Sequence, residues 1–180
     1  MITAVQIAPF HKRASDNYAA AESLKAKLAR LREERQPFYL TSAELEEIVR
    51  GKLRGQFGQQ QEQRTVNTEE VVRLVTGLAL AITHTDKEYE LELRMSVLCA
   101  LRGVGVPVAS AILALVYPEE YAVIDFRVWR QVFNEEKRAF LIGDYKKYMQ
   151  TIRQLANELG WSVQQIDVAI WEYDRIVSKQ

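Results

Sequence analysis

Asp125 stands between the extended-looking stretch 121–124 and a periodic apolar segment that holds Val128, Trp129 and Phe133. An aspartate in that place accepts main-chain N–H bonds as a helix cap, and a carboxylate fixed in this way can also activate an attacking water. Arg127 and Arg130 follow it. They read either as cations facing an anionic ligand or as ordinary surface partners of Glu135 and Glu136. Upstream lies Leu101-Arg102-Gly103-Val104-Gly105-Val106-Pro107. Two glycines around one apolar residue give a corner too tight for side chains, with Val104 turned back into the interior. The helix that follows begins with unpaired N–H groups, and both these amides and the helix dipole favour an anion such as phosphate. Arg102 is placed to add a charge-assisted contact to the same group. Gln56, Gln59, Gln60 and Gln61 form a polar turn that reads as a solvated loop or as a finger reaching into a partner.

The run Leu-x-Gly-Val-Gly-x-x-x-Ala-x-x-Ile over residues 101–112, followed by Ile124-Asp125-x-x-Val128-x-Arg130, resembles the helix-hairpin-helix DNA glycosylase superfamily, the endonuclease III-like repair enzymes. The match covers residues 97–133. The resemblance implies an all-α fold of two helical lobes with a cleft between them, formed by residues 1–180 as one domain. It implies double-stranded DNA as partner, gripped through the main chain of Gly103, Val104, Gly105, Val106 and Pro107, with Arg130 at a matched position. Arg102 and Arg127 are candidate further contacts, although Phe126 and Arg127 replace residues that are commonly small or polar in the family. Gln60 would fill the gap left by a flipped base. Asp125 corresponds to the family's catalytic aspartate, which stabilises the sugar cation or helps water attack it. A monovalent cation held by hairpin carbonyls is also implied.

Two departures narrow the reading. Pro107 occupies the place of the lysine nucleophile of bifunctional members, and a proline ring nitrogen within the chain has no free amine for Schiff-base chemistry. Cys99 is the only cysteine, so the four-cysteine iron–sulfur cluster of many members cannot form. The expectation is therefore a monofunctional N-glycosylase without lyase activity. The alternative is a DNA-binding protein that keeps the scaffold without the chemistry.

The elements that must position these residues read as helices almost throughout. Helical patterns cover 14–35 with Leu24, Leu28 and Leu31, then a segment capped by Thr41 or Ser42 with Leu45, Ile48 and Val49. A third, capped by Asn67, carries Val71, Val72, Leu74, Val75, Leu78 and Ile82. A fourth runs from Asp86 through Leu91, Met95 and Leu98 into the hairpin. Val108, Ile112 and Leu115 mark the second hairpin helix, which Pro118 ends. Helices near 144–159 and 162–178 are separated by Gly160. Trp129, Trp161 and Trp171 read as core residues, and Arg50, Lys52, Arg54 and Arg64 as a basic patch.

With 180 residues, 48% hydrophobic and 27% charged, the chain suits a soluble globular domain. Twenty-four basic and 24 acidic residues balance, which is unusual for a DNA binder unless the charges are segregated by face. No apolar run approaches a membrane span, the start lacks a leader pattern, and a lone cysteine fits a reducing compartment. The expectation is a cytoplasmic monomer with no membrane association. His11 and His84 stand alone, so no metal site is expected.

Overall fold

The computed structural model describes residues 2–10, 19–53 and 61–177, and these are helical nearly throughout. The chain forms α1 (Ala4–Ile7), a 3-10 turn (Ala8–Phe10), α2 (Ala19–Glu34), α3 (Ser42–Leu53), α4 (Gln61–Arg64) and α5 (Glu69–Ala81). It continues with α6 (Lys87–Leu98), α7 (Val106–Val116), α8 (Phe126–Phe133), α9 (Ile142–Leu159) and α10 (Val163–Val177). No strand occurs among the described residues.

Local chemistry sets most of these boundaries. Thr41 and Glu44 form a reciprocal cap at the start of α3: the Glu44 N–H donates to Thr41 Oγ1 at 3.2 Å, and the Thr41 N–H donates to Glu44 Oε2 at 2.8 Å. Asp86 Oδ1 accepts from the amides of Glu88 and Tyr89 and starts α6. Ser162 and Gln165 cap α10 in the same reciprocal manner. Gly160 ends α9 with φ of 66°, a left-handed conformation suited to glycine. Thr68, rather than Asn67, caps α5 by accepting from the Val71 amide. The Asn67 side chain is committed elsewhere, as described below.

α7 is apolar on every side and is correspondingly the innermost helix. Nine of its eleven residues are buried, and it packs against α2, α3, α6 and α9. Leu91, Met95, Leu98 and Leu101 form the buried side of α6 and the turn after it. The N-terminal segment closes on the end of the chain: α1 packs on α9 and α10, and the Ile2 N–H donates to the Gln131 carbonyl. Trp129 is buried with Phe133 and Phe140 against it, whereas Trp161 and Trp171 are only partly buried. α5 buries Val72, Thr76, Ala79 and Leu80 but leaves Val71, Leu74 and Leu78 on the surface.

Candidate functional site

The hairpin between α6 and α7 is built as its glycines suggest, with one refinement. Leu101 and Val104 are buried, and the Val104 N–H closes a turn onto the Leu101 carbonyl at 3.1 Å. Gly103 sits at φ of 73°, where an L side chain is strained. Gly105 does not need to be glycine for the fold. Its φ is −92°, and a Cβ added there would meet only Pro107 Cδ, 3.9 Å away.

Asn67 clamps this corner from a distance in sequence. Its Nδ2 donates to the Arg102 carbonyl at 2.9 Å, while its Oδ1 accepts from the Arg102 N–H at 3.0 Å. The main chain of Arg102 is thus fixed, and its exposed guanidinium has no ion pair among the described residues. Val108 and Ala109 both donate to the Gly105 carbonyl, and Pro107 has no N–H. The N–H groups left without an acceptor among the described residues are those of Gly103, Gly105 and Val106. Of the hairpin carbonyls, only Gly103 and Val104 lack a described donor, so a cation there would have to complete its shell with water or a ligand.

The connector after α7 carries Asp125. Residues 122–124 are non-helical and mostly buried, and side chains from four helices satisfy their main chain. The Ala122 N–H donates to Met149 Sδ, and the Ala122 carbonyl accepts from Tyr145 Oη at 2.9 Å. The Val123 N–H donates to Asp167 Oδ2 at 3.0 Å, and its carbonyl accepts from Tyr148 Oη at 3.4 Å. The Ile124 N–H donates to Ser110 Oγ at 3.1 Å, and its carbonyl accepts from Lys52 Nζ at 3.2 Å. A buried extended segment without a neighbouring strand has to find its partners in this way.

Asp125 emerges from this frame as the cap of α8. Its Oδ1 accepts from the amides of Arg127 and Val128 at 2.9 and 3.1 Å. Its Oδ2 lies 3.5 Å from Lys52 Nζ, with 24% of the Asp125 side chain and 13% of the Lys52 side chain exposed. Ser110 joins the two halves of the site, because it also donates to the Pro107 carbonyl at 2.9 Å. The hairpin helix and the acid-bearing connector thus share one hydroxyl.

Asp167 lies behind the connector and accepts from Val123 and from Tyr148 Oη at 3.0 Å. Burial, together with the nearby charge of Asp125, pushes its carboxyl up to about 6; the two hydrogen bonds and Lys52 pull the other way. The hydroxyls of Tyr145 and Tyr148 are raised well above their usual range by burial.

The remaining expected residues separate. Arg127 lies over Trp171, 5.6 Å from its ring centre. Arg130 turns into the protein, pairing with the buried carboxylate of Asp174 at 2.6 Å and with Glu136 at 3.3 Å. Val104 and Val106 are buried, which leaves only their main chain to contact a ligand. Gln60, with the rest of 54–60, lies outside the described residues. Of the expected basic patch, Arg64 binds Glu46, Lys52 faces Asp125, Arg50 is exposed and Arg54 lies outside the described residues.

Lys52, Asn67, Ser110, Tyr148 and Asp167 join the site only in three dimensions. Lys52 and Asn67 read in sequence as a basic patch residue and a helix cap, and the available signal for Ser110 is its single hydroxyl within an otherwise apolar helix. Comparison with family models, curated proteins and solved structures returned no match. Among the described residues, no group of three or more His, Cys, Asp or Glu is placed to hold a metal ion. No described helix is long and apolar enough to cross a membrane. What remains is a corner of unpaired amides beside an exposed guanidinium, on a helix that Ser110 joins to the connector carrying a partly exposed acid.

Proposed function

We propose that the protein binds double-stranded DNA through the hairpin and acts as a monofunctional base-excision glycosylase of the helix-hairpin-helix type. The observation that carries this reading is the Ser110 link, which ties the amides of Gly103, Gly105 and Val106 to the element delivering Asp125. A phosphate held by the amides and Arg102 would fix the strand, and a nucleotide rotated out of the duplex would bring its sugar to Asp125. Asp125 then stabilises the sugar cation as the base departs, and water completes an abasic site. Pro107 offers no amine for strand cleavage. The packing of α1 and α8 on α9 and α10, and of α2 and α3 on α7, gives two groups of helices that α6 and α7 join through α9, and the two lobes of the proposed reading would be these groups.

One observation favours the second reading, a DNA-binding scaffold without chemistry. Both oxygens of Asp125 already have partners: Oδ1 is held by two amides, and Oδ2 faces Lys52. A cation beside the acid opposes the build-up of positive charge on a sugar. Duplexes carrying single damaged bases separate the two. Abasic-site formation that disappears in Asp125→Asn, a substitution that keeps a good helix cap, supports the enzyme. Tight binding without turnover on any lesion supports the scaffold.

A further inference from the structure

We propose that Phe126, with the guanidinium groups of Arg127 and Arg138 against its ring, is a stacking site for an unpaired nucleobase. The inference rests on the DNA reading above and adds to it a surface other than the hairpin. Phe126 is the first residue of α8, directly after Asp125, and 38% of it is exposed. The guanidinium carbons of Arg127 and Arg138 each lie 5.7 Å from its ring centre, and Arg127 also reaches Trp171. Cation–π contact alone would account for this grouping at about 0.5–1 kcal/mol each, as a surface decoration.

The charge pairing argues for more. Acidic and basic residues are equal in number, and most described cations take a carboxylate partner. Arg127 and Arg138 take none among the described residues. Lys147 lies over Phe133 at 4.4 Å, and its charge also acts on the Asp144 carboxylate. Carboxylates are at hand, since Glu135 and Glu136 occupy the same α8–α9 connection, yet Glu136 goes to Arg130. The start of α8 therefore presents an exposed ring and planar, unneutralised cations. A nucleobase with its attached phosphate matches both features: the base stacks on the ring and on guanidinium planes, and the phosphate meets the charge. An acidic peptide would match only the charge.

The test compares three labelled duplexes by fluorescence anisotropy: one fully paired, one with a single-thymine bulge, and one whose bulged nucleotide lacks its base. The expected result is about tenfold tighter binding of the thymine bulge than of either other duplex, in line with one stacked base. Phe126→Ala brings the thymine bulge to the level of the paired duplex and leaves paired binding unchanged, while Phe126→Trp retains the preference. A preference that survives in Phe126→Ala overturns the inference. So does parent protein that binds paired and bulged duplexes equally, an outcome that leaves hairpin binding standing. Absence of binding to all three at low salt overturns both readings.

Discussion

Asp125 and Gly105 carry the functional argument at the scale of single residues, and they do so differently. Asp125 has a structural task as a helix cap that any fold could use. Gly105 has none, because its backbone angles suit most residues and the space around it is open. Serine is a favoured cap at such a position, so Gly105→Ser should change stability in urea by less than about 0.5 kcal/mol. The same substitution should weaken duplex binding by about tenfold or more, because the added side chain stands where a phosphate must approach the amides. Unchanged affinity would remove the hairpin from the interface.

Asp167 supplies a residue-scale test of the site's electrostatics. Its carboxyl moves from 3.8 to about 6 on folding, so the folded state holds the proton more tightly than the unfolded one. The stability this contributes is fully present below pH 4 and is lost as pH rises through 6. Asp167→Asn escapes that loss, since an amide oxygen still accepts from Val123 and Tyr148 can donate to the Val123 carbonyl. Relative to the parent, the variant should gain on the order of 2 kcal/mol between pH 4 and pH 7 in urea denaturation. Carboxylates whose pKa is lowered, such as Glu44 and Asp144, give the opposite trend in both proteins and cancel in the difference.

At the scale of elements, the connector decides how firmly the site is held. Ser110 is buried and is the only acceptor found for the Ile124 N–H among the described residues. Ser110→Ala fits the helix but strands that amide, so it should cost about 1–3 kcal/mol in urea denaturation. This scale also shows what could be read from sequence. Thr41 with Glu44, Asp86, Asp125 and Gly160 act through neighbours a few residues away, and their helix boundaries were legible for that reason. Asn67 looked like the cap of α5 but serves Arg102 across a loop, leaving the cap to Thr68. The outward side of α5 was equally hidden, because apolar residues lie all along the segment and only the packing of α6 and α3 shows which side is covered. The partners of residues 122–124 come from α3, α7, α9 and α10, so no local pattern encoded them. Asp125 and the hairpin were visible in sequence; the frame that joins them was not.

For the whole molecule, the ion pairs show how the balanced charge count is distributed. Lys and Arg residues that could have formed a broad basic surface are mostly neutralised by carboxylates. Arg32, Arg102, Arg127 and Arg138 form no ion pair with a carboxylate among the described residues, and Arg32 instead bonds the Val116 carbonyl. Two of these, Arg102 at the hairpin and Arg127 at the start of α8, lie beside the elements that the proposed reading uses. If the protein binds DNA as proposed, contact by so few cations should be modest in salt sensitivity compared with a strongly basic protein.

Duplex affinity measured across a salt series, for the parent and for Arg102→Gln, tests this account most directly. The prediction is an affinity that falls linearly with salt on logarithmic axes, with a slope about one unit shallower once Arg102 is removed. A parent protein that fails to bind at low salt, or an Arg102→Gln slope identical to the parent's, would contradict it.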